Sequence, residues 1–211
     1  MTRNSPVTAL PAIEGFRRAS ANGTAFVEAD SSVFRAAMRQ LASGVCLVTH
    51  SVGGERAGMT ATAVASLSLD PPTLIVCVNR AASTYSGLTL GAAFGVSVLG
   101  ADHLEFAERF AGRTGEEGAD RFREGRWMTA PNGAPLLWDA LAAFACEVDD
   151  IVERNTHAIV VGRVKHAAAA SDGGALVYWR GGYDQLGWSD DELARATGLS
   201  PQSARRRDDV R

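Results

Sequence analysis

The chain has 211 residues, of which 46% are hydrophobic and 21% charged, a composition typical of a globular domain with a real core. Its formal net charge of -3 argues against nucleic acid as the main partner, because duplex binding needs a strongly basic surface. No apolar run reaches the roughly 18 residues that a membrane helix needs, so we expect no membrane association.

The cysteines and histidines predict no metal site. No CxxC pair occurs, and the four histidines lack the spacing of metal ligands. Each cysteine lies within an apolar stretch, which indicates a buried, reduced thiol. The first fifteen residues lack the continuous apolar core of a signal peptide, so we expect a cytoplasmic protein.

The chain divides into three predicted parts. Residues 1–30 show no sustained periodicity and are interpreted as a flexible N-terminal arm, and residues 188–211 as a polar C-terminal tail. The domain between them, residues 31–187, opens with a predicted helix. Asp30 or Ser31 is typical of a helix N-cap, and apolar residues at helical spacing follow.

Short apolar strands dominate the predicted domain. At least five of them follow at short spacing, separated by turn residues such as Gly53-Gly54 and by the strand-breaking Asp70-Pro71-Pro72. Residues 113–127 are charged and Gly-rich, with four acids and four arginines, and are interpreted as a solvated connection. Because strands and helices do not alternate regularly, we predict a mainly β fold, an antiparallel sheet closing into a small barrel with peripheral helices.

Residues 56–84 contain the side chains that are best suited to binding a ligand. Small hydroxyl residues two positions apart share a face of an extended chain, and they let a ligand approach the backbone closely. Arg80, at the end of the following strand, is suited to neutralising a phosphate. We therefore predict a flat, phosphate-bearing ligand; a polar edge strand capped by a turn is the alternative. The nucleotide motifs GxGxxG and GxxxxGK[ST] and the esterase motif GxSxG are absent.

Several segments, in this order, resemble flavin reductase-like proteins, and the resemblance spans about residues 33–187. They include FRAAMRQLASGVCLVT, GMTATAVASLSLDPPTLIVCVNRAAS, NTHAIVVGRV and LVYWRGGYDQL. These proteins are the small reductase components of two-component flavin-dependent monooxygenases, such as the 4-hydroxyphenylacetate 3-monooxygenase reductase. The resemblance implies an FMN-binding split barrel of Greek-key topology and a homodimer. It also implies hydride transfer from NADH or NADPH to FMN or FAD, whose reduced form diffuses to a partner monooxygenase.

The resemblance also implies site residues. His157, in the triplet Asn155-Thr156-His157, is the catalytic candidate and, with Tyr183, the nicotinamide-binding candidate. The usual Gly of this triplet is Asn here, the next best residue for a positive φ. The flavin ring edge is expected to contact Thr60, Ala61, Thr62, Ser66, Leu67 and Ser68. The ribityl chain and phosphate are expected to contact Asn79, Arg80, Ser83 and Thr84.

Three alternatives stay open at this stage. The same fold serves in cobalt-corrin reductases, so the acceptor of the electrons is one open point. A flavin-binding protein without enzymatic activity is another. His157 also fits a structural role as a hydrogen-bonded strand start, and Tyr183 fits packing in the core or at an interface. The sequence distinguishes neither FMN from FAD nor NADH from NADPH, and it does not name the partner oxygenase.

Overall fold

The computed structural model describes residues 30–187, so the predictions for residues 1–29 and 188–211 lie outside the described residues. The described part is mainly β. Its helices are α1 (Ser31–Met38) and α2 (Leu104–Phe110), with 3-10 helices at Ser83–Gly87, Ala101–His103 and Gly118–Phe122. Its strands are β1 (Ser43–Gly44), β2 (Cys46–Val52), β3 (Glu55–Ala61), β4 (Val64–Leu69), β5 (Pro72–Asn79), β6 (Ala93–Val98), β7 (Trp127–Thr129), β8 (Pro135–Leu137), β9 (Ala142–Arg154), β10 (His157–Ala169), β11 (Ala175–Trp179) and β12 (Gly182–Leu186).

Helix α1 begins at a side-chain cap, as the sequence predicts. The Asp30 carboxylate accepts hydrogen bonds from the backbone N–H groups of Ser32, at 2.8 Å, and Val33, at 2.9 Å. The bond from Val33, and then those from Ser32, hold the pKa of Asp30 below its usual value. No residue of this helix is buried.

Seven antiparallel strands form the main sheet in the order β3-β2-β6-β9-β10-β5-β4. Its two edge strands, β3 and β4, are joined by Thr62 and Ala63 alone. The three steps from Ala61 to Val64 span at most about 10 Å, whereas seven flat strands would set the edges nearly 30 Å apart. The sheet must therefore curl so that its two edges approach each other without pairing, which is the geometry of a split barrel.

Apolar side chains fill the inside of this curled sheet and one of its outer faces. The inner cluster includes Val48, Val76, Phe94 and Val160, each fully buried. A second cluster, which we call the outer cluster, joins β2 and α2 to β11 through Leu47, Leu99, Ala107, Phe110, Phe122, Leu137 and Leu176. Both faces of the central strands are therefore covered, which explains why the first five residues of β2 are all buried rather than alternately buried and exposed.

Residues 113–127 are mostly exposed, as predicted, but they are more than a connection. They contain the 3-10 helix Gly118–Phe122, and Phe122 is buried in the outer cluster. Its ring meets the ring of Phe110 edge-on at 5.0 Å between centroids. The segment is therefore anchored to the barrel wall. Within residues 30–187, no helix is long and apolar enough to cross a membrane.

Candidate functional site

A cavity of about 270 Å3 opens beside strand β3; we call it the Thr84 cavity. Strand β3, the turn before the 3-10 helix Ser83–Gly87, helix α2 and the anchored segment each contribute to its wall. Its lining includes Thr60, Ser83, Thr84, Phe110 and Arg121. Three of the ten residues expected to bind flavin, Thr60, Ser83 and Thr84, thus meet around one cavity.

The polar side chains of this cavity differ in whether they form hydrogen bonds within the protein. The hydroxyl of Thr60 donates to the carbonyl of Ala107 at 2.7 Å, which ties β3 to α2. Thr84 is 1% exposed, and its hydroxyl has no hydrogen-bond partner among the described residues. A buried hydroxyl without a partner costs roughly 1–3 kcal/mol, so Thr84 marks a place where a ligand would add a missing bond.

Arg121 supplies a positive charge to the wall of the Thr84 cavity, and the sequence analysis missed it. Its Nε donates to the carbonyl of Glu116 and its Nη1 to the carbonyl of Gly58, each at 2.9 Å. These bonds fix the plane of the guanidinium against β3. The second bond spans 63 positions of the chain, so no local pattern signals it. The neighbouring Phe122, an apolar residue within a charged run, was the one local clue.

The end of β5 builds the turn that leads into the cavity wall. The side-chain oxygen of Asn79 accepts the N–H of Ala81 at 3.0 Å, and its carbonyl accepts the N–H of Ala82 at 2.9 Å. Arg80 contacts other groups than those of the cavity wall. Its Nη2 lies 2.9 Å from Oε2 of Glu153, and its Nη1 donates to the carbonyl of Asn155 at 3.2 Å. The expected phosphate ligand is thus already paired within the protein.

His157 begins β10 and is paired in register with Asn79 of β5. The ring is exposed, and its Nδ1 lies 2.9 Å from the hydroxyl of Thr156. Nε2 is therefore the ring nitrogen that Thr156 does not engage. Asn155, in the preceding turn, has a φ of 51°. The Asn at the usual Gly position therefore adopts the left-handed conformation that Gly would provide.

The other predicted residues lie away from the Thr84 cavity. Ala61 points into the inner cluster and Thr62 is exposed at the end of β3. A bulge places Leu67 out of register between Ser66 and Ser68, so these two serines do not share a face in the simple way that alternation predicts.

Tyr183 of β12 is half-buried and packs on the outer cluster. Its ring lies 5.2 Å from the ring of Tyr178, and the guanidinium of Arg113 lies 5.6 Å from its centroid. Burial raises the pKa of Tyr183. These contacts support the packing alternative for this residue.

A larger cavity of about 730 Å3 adjoins the first; we call it the His50 cavity. The two cavities share Ser83 and Arg121. His50 is 5% exposed, and neither ring nitrogen has a hydrogen-bond partner among residues 30–187. Burial lowers the pKa of His50, and the nearby backbone of Thr84 opposes the change only in part. No sequence pattern distinguishes His50 from an ordinary core histidine.

Two solved structures of similar fold are named as flavin-reducing enzymes. BorF, the flavin reductase component of a bacterial two-component tryptophan halogenase, is 36% identical, with a TM-score of 0.69 over 76% of this chain and 100% of that chain. The NADH:FAD oxidoreductase SgcE6 of Streptomyces globisporus, in complex with NAD and FAD fragments, is 29% identical, with a TM-score of 0.69 over 77% and 98%. The predicted mainly β split barrel with peripheral helices is confirmed.

Sequence comparison gives the same result. The FMN reductase (NADH) RutF of Methylorubrum extorquens, strain DM4, is 42% identical over 155 residues, which are 74% of this chain and 75% of that protein. The family model of the flavin reductase like domain matches residues 38–187. The resemblance seen in the sequence is thereby confirmed, and the chain belongs to the flavin reductase like domain family.

Proposed function

We propose that the chain transfers hydride from NADH or NADPH to FMN or FAD and supplies the reduced flavin to a partner monooxygenase. Membership of the flavin reductase family and the name of its RutF relative support this proposal. The observation that carries it is the Thr84 cavity, whose wall contains both an unpartnered buried hydroxyl and a fixed guanidinium. Phosphate and ribityl hydroxyls are the groups that such a pair binds.

The described residues fit a bound flavin. Strand β3 is an edge of the main sheet, so every second residue directs its backbone N–H and C=O away from the sheet. These groups suit the pyrimidine edge of the flavin ring, and we assign this role to the backbone of Thr60, Ala61 and Thr62. The side chain of Ala61 takes no part, since it is buried in the inner cluster.

Arg121, Ser83 and Thr84 would hold the ribityl phosphate. Arg121 brings the charge, and its two bonds to carbonyls leave Nη2 for the phosphate. Asn79 acts indirectly, because its bonds to Ala81 and Ala82 shape the turn that presents Ser83. Arg80 holds the β9–β10 turn through Glu153, so we propose it as a positioning residue rather than as the phosphate ligand.

His157 would contact the nicotinamide. Its Nδ1 is held by Thr156, so Nε2 is the nitrogen available to the carboxamide or to the flavin edge. The flavin, once bound, supplies the hydride acceptor, and the protein's task is to stack the two rings within reach of each other. No general base is required for that step, which agrees with the lack of a catalytic triad in the sequence.

A homodimer is also proposed. Strand β4 is the second edge of the sheet and exposes 57% of Leu67 and 89% of Leu69. An exposed apolar edge strand is a pairing surface that proteins normally cover. Ser66 and Ser68 lie on the same edge, so their proposed flavin contacts, and that of Leu67, would form where the second subunit covers it. Sedimentation at twice the mass of the chain would support the dimer, and a monomer at micromolar concentration would contradict it.

We place the protein in the cytoplasm. Cys46, Cys77 and Cys146 are all free thiols, as expected in a reducing compartment. The buried positions of Cys46 and Cys146 agree with the sequence interpretation, whereas Cys77 is half-buried.

The test is steady-state oxidation of NADH, and separately NADPH, with FMN, with FAD and without added flavin. Turnover that requires free flavin and saturates with it supports the proposal. If flavin binds tightly and turnover stays slow until a corrinoid or another acceptor is added, the electrons pass to that acceptor and not to free flavin. Absence of both flavin binding and NAD(P)H consumption would contradict the proposal as a whole.

A further inference from the structure

Arg109 is a buried charge to which the proposed flavin site gives no role. It lies near the end of helix α2 and is 5% exposed. Burying a guanidinium costs solvation free energy, which only close acidic partners offset. An apolar side chain such as methionine would fill the same place beside the ring of Phe106, whose centroid lies 5.6 Å from the guanidinium. The charge at this position therefore calls for a reason other than packing.

Three glutamates surround the guanidinium of Arg109. Its Nη2 lies 2.7 Å from Oε1 of Glu105 and also donates to Oε2 of Glu124. Its Nε lies 3.9 Å from Oε1 of Glu116. Glu105 belongs to helix α2 itself, whereas Glu116 and Glu124 belong to the anchored segment, residues 113–127. The guanidinium therefore ties α2 to that segment at two points.

Arg121 lies in the chain between these two points. Glu116 connects the two arginines directly, because its carboxylate faces Arg109 while its carbonyl accepts Nε of Arg121 at 2.9 Å. Phe122 also holds the segment, through its ring contact with Phe110. An apolar contact keeps the segment in place, but charge-assisted bonds are the ones that fix its orientation. The ion pairs of Arg109 therefore help to set where the guanidinium of Arg121 stands.

Arg109 also competes with Arg121 for the carboxylate of Glu116. A hydrogen bond from Thr114 is the main reason why the pKa of Glu116 is lowered, and the charges of Arg109 and Arg121 both add to the effect. Both arginines thus attract this carboxylate. Without Arg109, the nearest cation left for Glu116 would be Arg121, and that pairing would draw its charge away from a phosphate.

We propose that Arg109 is a positioning residue for flavin binding, which holds Glu116 and Glu124 so that the guanidinium of Arg121 stays directed at the ribityl phosphate. The inference rests on the proposed function, because that function assigns the phosphate to Arg121. Among the described residues, those that line the Thr84 and His50 cavities include Arg121 and not Arg109. Arg109 therefore acts through Arg121 and only on a ligand that carries a phosphate.

The test compares the Kd of FMN with the Kd of riboflavin, which lacks the phosphate, for the purified full chain. Arg109→Met removes the buried charge and keeps much of the apolar length of the side chain. Glu124→Ala breaks the same link from the other side, at a side chain that is 66% exposed, so the test does not depend on the folding of the buried variant.

Two control variants match these changes. Glu105→Ala removes the other partner of the same Nη2, but this partner lies on α2 and does not tie the segment down. Arg123→Met removes one positive charge from the segment itself, at an exposed pair with Asp120.

Arg109→Met is expected to raise the Kd of FMN about tenfold and Glu124→Ala about threefold, with the Kd of riboflavin changed less than about twofold in both. Both controls should leave the two Kd values within about twofold, because exposed ion pairs contribute little. When Arg121→Ala is already present, Arg109→Met should raise the Kd of FMN by less than about twofold more, since the two changes remove the same contact.

Four results would overturn the inference while the wild-type chain still binds FMN. An unchanged Kd of FMN in Arg109→Met would remove the role of Arg109. Equal rises for FMN and riboflavin would show that Arg109 only supports the fold. Additive effects of Arg109→Met and Arg121→Ala would show that the two residues act independently. Equal effects of Glu105→Ala and Glu124→Ala would deny the link to the segment. A wild-type chain that binds no flavin would instead remove the proposed function, and this inference with it.

Discussion

Arg80 and Glu153 form an ion pair with 2.9 Å between Nη2 and Oε2, and the other carboxylate oxygen of Glu153 accepts the phenol O–H of Tyr85 at 2.7 Å. This hydrogen bond is the main reason why the pKa of Tyr85 is raised. The three side chains link the β9–β10 turn to the segment after β5. Arg80 therefore joins two parts of the protein, while Arg121 faces the Thr84 cavity.

The first prediction separates these two arginines. Arg121→Ala should raise the Kd of FMN at least tenfold, because a hydrogen bond to a charged group is worth about 1.5–3 kcal/mol. Arg80→Ala should raise it less than about threefold, since its partner is Glu153 at a half-exposed position where ion pairs contribute little. Titration of flavin fluorescence measures both. A larger effect at Arg80 than at Arg121 would restore the phosphate role that the sequence suggested.

The second prediction concerns His157. His157→Ala should slow reduction of bound flavin by NADH about tenfold, the scale of one hydrogen bond to the nicotinamide, with the Kd of FMN unchanged. Rapid mixing under anaerobic conditions measures the rate. Thr156→Val is the control: it removes the hydroxyl beside Nδ1 and should have a smaller effect. A purely structural His157 would lower the unfolding free energy and leave the rate of reduction intact.

The turn before His157 provides the third prediction. Asn155 has a φ of 51°, a conformation that costs most side chains roughly 1–2 kcal/mol and Asn less. Asn155→Gly should therefore leave the free energy of unfolding nearly unchanged, and Asn155→Ala should lower it by about 1 kcal/mol. Urea titration measures both values. Equal stability of the two variants would show that the backbone of this turn does not require a positive φ.

His50 makes stability depend on pH, which is the fourth prediction. Burial lowers its pKa in the folded chain, so the unfolded chain binds a proton more readily. The stabilising effect of keeping His50 neutral is fully present above about pH 6.5, its unfolded pKa, and is lost as the pH falls through the folded value. The chain should thus lose more stability between about pH 7 and 5 than His50→Gln does. Subtracting the two curves of unfolding free energy against pH removes the contribution of every titratable group other than His50. Parallel curves would mean that His50 is solvated.

The cysteines give the fifth prediction. Burial raises the pKa of Cys46 to about 11 and that of Cys146 to about 12. The thiolate is the reactive form, so neither residue should react with a disulfide reagent in the native chain at about pH 8. Half-buried Cys77 is the only one of the three expected to react slowly, and all three should react in denaturant. Rapid native labelling of more than one thiol would contradict the described packing.

Patterns along the sequence predict the elements of this fold well. The Asp30 cap, the Gly53-Gly54 hairpin and the strand break at Asp70-Pro71 depend on local chemistry, and each appears where the residues indicate. Alternation alone was insufficient in β4, because the bulge at Leu67 shifts the register of the serines around it.

The candidate site was predictable only in part, since long-range contacts decide it. Ser83 and Thr84 follow from their position after β5, and they do line the Thr84 cavity. Arg121 lies in a charged run that reads as solvated, and its role depends on a carbonyl 63 residues away. His50 lies within a buried strand, and only the packing of Gly87 against its ring shows that it is fixed in place.

Anaerobic mixing of the flavin-loaded chain with NADH deuterated at the transferred position tests the central claim most directly. Hydride transfer at the proposed site predicts that the visible absorbance of the flavin bleaches in a single turnover, more slowly with deuterated than with ordinary NADH. It also predicts that His157→Ala slows the bleaching without releasing flavin. A flavin that stays oxidised in the presence of excess NADH and without oxygen would contradict the account.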